Sequence, residues 1–174
     1  MTVGFLSMVF LSYKHGILSF PNPAESKDDY IPVFYVTAAS VCMFYAFLFN
    51  QTMTVFLEFA RLMKEYKEKK REANKPSFAE LKYGTDNMKV LAANRCAGNF
   101  LEQLAPFIVA LYAHATFVSV SGAVIHGWMW IFFRSYYLIV FQKPFPWIFS
   151  STLPAYTCIW SMLALTVYTI AGKN

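Results

Sequence analysis

Charge is what this sequence has little of: only 14% of its 174 residues are Asp, Glu, Lys or Arg, while 57% are hydrophobic. Soluble domains carry roughly 25% charged and roughly 45–50% apolar residues. A soluble fold of this length therefore lacks the polar surface to cover its apolar mass, and lipid must solvate the excess. Cysteine is also scarce. Cys42, Cys96 and Cys158 are an odd number without metal spacing, each in an apolar stretch, which excludes a disulfide framework and reads as small buried hydrophobes. No glycine-rich phosphate loop, Ser–His–Asp arrangement or metal motif is present, so nucleotide, serine-hydrolase and metalloenzyme chemistry find no support. The net charge of +5 sits in one loop rather than along a face, which excludes a nucleic-acid partner and suits anionic lipid headgroups.

What the chain does have is aromatic and apolar length, with 18 Phe and 11 Tyr. Four spans are expected, over residues 33–59, 90–117, 125–141 and 147–170. Residues 3–18 are apolar but interrupted by Lys14 and His15 and closed by Phe20-Pro21-Asn22-Pro23. They lack a secretory cleavage pattern and are short for a crossing of about 20 residues. They read as an interfacial helix, with a fifth span as the alternative. The expected class is an all-α, integral membrane four-helix bundle with an extra amino-terminal interfacial helix: residues 1–30 as that segment and its connector, residues 31–174 as the four-span domain.

After the first span the charged run Arg61 to Lys75 carries Lys64/Glu68 and Glu65/Lys69 at helical spacing. The helix is expected to leave the bilayer there and break at Pro76, followed by a loop over residues 77–89. The whole connection between the first and second spans, residues 61–89, holds nine of the 15 Lys and Arg, so the positive-inside rule puts its side in the cytosol, matrix or stroma. Trp128, Trp130 and Trp147 suit an interfacial belt.

Ionisable groups inside a span are costly and mark function by default. Arg95, Asn99 and Glu102, with Pro106 a turn further, return to one stripe of the second span at about 100° per residue. Arg95 and Glu102 lie about two turns apart, so something polar belongs between them. A zwitterionic peptide fits, because Arg forks onto a carboxylate while Glu takes an ammonium or amide N–H. The alternative is a stripe that only locks helices together. Arg134, mid-span with Tyr137 and Phe141 on its face, has Glu102 as its available intramembrane acid. The three charges then share one interior site of net charge +1. His114 and His126 flank the uncharged turn between spans two and three. They read as interfacial polar caps, with haem or chlorophyll ligation as the alternative.

The stretch Asn94-Arg95-Cys-Ala-Gly-Asn99-Phe-Leu-Glu102-Gln-Leu-Ala-Pro106 resembles the R-x3-N-x2-E-x3-P signature of the membrane-associated proteins in eicosanoid and glutathione metabolism (the MAPEG family), which includes the microsomal glutathione transferases. Four spans, a long basic loop after the first and an arginine in the third extend the likeness over about residues 33–170. The resemblance implies a homotrimer with glutathione between subunits. Arg95, Asn99, Glu102, Arg134 and Tyr137 are then the substrate-binding set, and a lipophilic electrophile is the second substrate. Two departures accompany it: the start of the fourth span, Phe145 to Thr152, has no cation, and the tyrosine near the end of the third span is Phe141. A glutathione transferase or peroxidase is one expected function. A non-catalytic subunit of a respiratory or photosynthetic membrane complex is the other. A small transporter or channel lacks the broken-helix repeats it would need. The organelle stays open among endoplasmic reticulum, mitochondrion and plastid.

Overall fold

The structure, a computed structural model, describes residues 23–68 and 75–172, and these form helices and turns with no strand among them. A 3-10 turn at Asp28–Tyr30 leads into α1 (Ile31–Glu68), followed by α2 (Phe78–Tyr83), α3 (Met88–Phe117), α4 (Val120–Ser135), α5 (Tyr137–Phe141) and α6 (Phe149–Ala171). Helices α1, α3 and α6 are long and apolar enough to cross a membrane. The expected interfacial helix over residues 3–18 lies outside the described residues.

Local chemistry sets the boundaries. Pro32 is the second residue of α1, where its missing N–H costs nothing. The polar end of α1 is held by Arg61–Glu65 at 2.9 Å and Lys64–Glu68 at 3.8 Å, pairs of the i,i+4 kind. Asn87 caps α3, its Oδ1 accepting from the N–H groups of Lys89 and Val90 at 3.1 Å. Ser119 caps α4 through Gly122 N–H at 3.1 Å. That cap starts the helix five residues before the expected Ile125.

Two differences from expectation have physical causes. Residues 78–83 form a helix where a loop was expected. Ser77 accepts from Glu80 N–H, and Gly84 N–H returns to Glu80 O at 2.7 Å. The S-x-x-E spacing is a capping-box signal that the charged surroundings hid. The third span is broken at Tyr136 into α4 and α5. The Ser151 hydroxyl of α6 donates to Phe133 O at 2.5 Å, and a side chain entering the backbone ladder is a recognised cause of a break.

The described residues divide between two compact units, one within residues 43–101 and the other made of those up to 42 with those from 102 on. In the first, Phe47 stacks on Phe100 with centroids 5.0 Å apart, and Phe78 packs on Phe56 and Phe59 at 5.4 and 5.3 Å. Glu58, nearly buried, accepts from Lys89 Nζ at 2.9 Å, Arg61 Nε at 3.0 Å and Asn87 Nδ2 at 3.3 Å. A carboxylate near the polar end of α1 thereby fixes where α3 begins.

In the second unit α4 packs along α6. Gly122, Ala123, His126, Gly127, Trp130 and Arg134 make the buried stripe of α4, at the spacing of one helical face. Trp130, expected in an interfacial belt, is instead fully buried and stacked on Phe107 at 3.9 Å. Trp128 and Trp147 are exposed. Cys96 and Cys158 are buried as expected, whereas Cys42 is exposed.

Gly127 is small because Val36 needs the room: a Cβ there would stand 2.5 Å from Val36 Cγ1 and 3.1 Å from Leu111 Cδ1. Val36 is β-branched and cannot swing aside. Gly127→Ala is therefore expected to destabilise the protein by about 1–3 kcal/mol, read as a lower unfolding temperature in detergent. An unchanged temperature would show that α4 does not approach Val36 so closely.

Candidate functional site

Arg95, Asn99 and Glu102 all lie on α3. In the unit of residues 43–101, Arg95 is exposed and Asn99 half-buried. Gly98, one turn after Arg95, is also exposed, and a Cβ there would meet nothing within 4 Å. Asn94, next to Arg95, is held on both sides. Gln51 Nε2 donates to its Oδ1 at 2.9 Å, and its own Nδ2 donates to Lys82 O at 3.0 Å. In the other unit, Glu102 is exposed. Neither Arg95 nor Glu102 forms an ion pair with a described residue; the ion pairs there join Glu58, Glu65 and Glu68 to Arg61, Lys64 and Lys89. The two charges thus stand open on a helix fit to span a bilayer.

Arg134 is placed differently. It is fully buried, in the last turn of α4. Its guanidinium carbon lies 5.2 Å from the Tyr137 ring centroid and 5.8 Å from those of Trp130 and Tyr156. Ring faces and the negative carbonyl end of the helix both favour a cation. The expectation that Arg134 and Glu102 share an interior site is corrected, since one is enclosed among rings and the other is open. Tyr137, also an expected ligand contact, is buried against Arg134. Tyr156 had no sequence signal, because only the fold brings α6 to this arginine.

At the start of α6 the Ser150 hydroxyl donates to Trp147 O and the Ser151 hydroxyl to Phe133 O. Tyr136 OH donates to Ser150 O at 2.8 Å. Both serine protons are therefore committed to backbone carbonyls.

His114 and His126, expected as interfacial caps, are buried at 0% and 6% exposure with ring centroids 5.7 Å apart. The connector before α1 and the turn into α4 cover the carboxyl end of α3, with Ala24 N–H donating to Ala115 O at 3.1 Å and Ser119 N–H to His114 O at 2.9 Å. Orphan carbonyls at a helix end need such partners.

The Phe107–Trp130 stack supports the wall on which Arg134 rests. Trp130→Ala is expected to cost about 3–5 kcal/mol, measured by thermal unfolding in detergent; a loss under about 1 kcal/mol would mean that the ring is not a core element.

No curated protein matches the chain. The model of the MAPEG family matches residues 35–168 of its 174 residues. With three helices long and apolar enough to span a bilayer, this is an integral membrane protein, and the chain belongs to the MAPEG family.

Proposed function

We propose that the protein binds glutathione at Arg95, Asn99 and Glu102 and presents its thiol to a lipophilic electrophile, as a glutathione transferase or peroxidase does. One observation supports this reading: an exposed cation and an exposed carboxylate sit on a helix long and apolar enough to cross a membrane, and no described residue forms an ion pair with either. A charged residue at the helix centre costs about 2.5–3.5 kcal/mol on insertion scales, so each needs a partner from outside. A tripeptide with carboxylates and an ammonium supplies both signs at once. Its carboxylate would fork onto Arg95 and its ammonium would meet Glu102. The open backbone at Gly98 would let the peptide lie close. Arg134 and Tyr137, being buried, would act from within the chain as positioning residues.

The same reading includes the finer architecture. Residues 120–141, α4 and α5 with Tyr136 between them, would make the fourth crossing. At 1.5 Å per residue their 22 positions reach about 33 Å, against a hydrocarbon core of about 30 Å. Three copies arranged as a trimer would bring a neighbour against the open side of α3, enclosing the peptide near the basic-loop face.

A second reading has its own support. A thiol with an ordinary pKa near 8–9 needs a nearby cation or donor to ionise at neutral pH. The stretch Phe145 to Thr152 offers no cation, Phe141 has no hydroxyl, and both serine protons are engaged elsewhere. A non-catalytic MAPEG-fold subunit of a respiratory or photosynthetic complex would need no thiolate.

Equilibrium binding of glutathione to the purified full-length protein tests the first reading. Arg95→Ala and Glu102→Ala are each expected to weaken binding at least tenfold, by loss of charge-assisted hydrogen bonds of about 1.5–3 kcal/mol. Gly98→Leu is expected to block binding while leaving the circular dichroism unchanged. Unchanged affinity in all three variants would remove the site. Native mass after gentle extraction separates the two readings. Three chains of 20.0 kDa sum to about 60 kDa and favour the enzyme, whereas co-migration with a large complex favours the subunit.

A further inference from the structure

The paired histidines take no part in the glutathione reading. His114, near the carboxyl end of α3, and His126, in the second turn of α4, are both core residues with tilted rings 5.7 Å apart. His114 Nδ1 meets Met162 O at 3.3 Å, and His126 Nδ1 meets Gly122 O at 2.8 Å. A carbonyl oxygen can only accept, so in each ring the proton belongs on Nδ1. Nε2 of each neutral imidazole is then a bare lone pair. His114 Nε2 is buried and meets no hydrogen-bond donor among the described residues. A proton fixed on one ring nitrogen by a backbone carbonyl is the arrangement that orients metal-binding histidines, whose other nitrogen then faces the ion.

We propose that His114 and His126 form a two-imidazole site for a soft monovalent cation, copper(I). Two metal–nitrogen bonds of about 2.0 Å put the nitrogens about 4 Å apart, a spacing that ring centroids 5.7 Å apart allow when both Nε2 atoms face the gap between them. Charge selects the ion. Both donors are neutral, and a dication in this apolar core would have no anion to offset its desolvation. Zinc asks for four ligands and calcium or magnesium for many oxygens. Among the described residues no three His, Cys, Asp or Glu side chains gather into a metal-holding group, which leaves an ion content with two donors. Copper accepts imidazole, and its monovalent form also favours thioether sulfur. Met162, whose carbonyl orients His114, is fully buried and carries a thioether on that turn of α6. The site would stiffen the end of the bundle around the turn from α3 to α4. It does not depend on glutathione binding, and its failure would leave that reading intact.

The test uses full-length protein in detergent, reduced with ascorbate, given one equivalent of copper(I) and desalted. About one copper per chain should remain, with nitrogen neighbours in its X-ray absorption spectrum. His114→Asn and His126→Asn keep a donor for the carbonyl and remove the lone pair. Each should weaken copper retention at least about tenfold with unchanged circular dichroism. Sulfur-only neighbours would assign the metal to cysteine and overturn the proposal, as would no retained copper or full retention in both variants. Should neither variant fold, the neighbours in the unaltered protein decide.

Discussion

Hydrocarbon leaves a polar group no cheap partner, and that constraint organises every part of this chain. Water cannot answer a charge or a bare carbonyl at membrane depth, so protein or a guest must. Inside the chain the answers are local. Thr157, Thr166 and Thr169 donate to carbonyls four residues back on their own helix. The histidines donate to carbonyls, and Arg134 lies among three rings at a helix end. Glu58 gathers Arg61, Asn87 and Lys89.

Set against this provision, Arg95 and Glu102 differ in kind. They are charges on a helix long and apolar enough to span a bilayer, and no described residue forms an ion pair with them. Enclosed polar groups explain how the helices hold together, and the open ones on α3 are why the proposed site is placed there.

The sequence made the spans and the motif legible because both rest on short-range periodicity. The apolar runs placed the start of α1 and both ends of α3 and α6 within two residues, and Pro106 and Pro154 stand inside helices as membrane segments allow. The family was readable from four residues on one helix. Tertiary consequences were not. Nothing near Trp130 announces that Phe107 will stack on it, so an interfacial role looked natural. The break at Tyr136 goes with a bond from Ser151 to Phe133 O, 18 positions away in the chain and so invisible to helical spacing. Arg134 was assigned to Glu102 because sequence lists charges and does not list ring faces. His114 and His126 looked like helix-end caps because the residues that meet that end of the helix, Ala24 at Ala115 O and Met162 at His114, lie far away in the chain.

Glutathione binding at α3 is examined most directly by an image of the full-length protein in a lipid nanodisc with glutathione present, at a resolution that traces side chains. The account predicts peptide density reaching Arg95 at its carboxylate end and Glu102 at its ammonium end. Side chains of Arg95 and Glu102 turned to separate surroundings, or met by neighbouring protein alone, would contradict it.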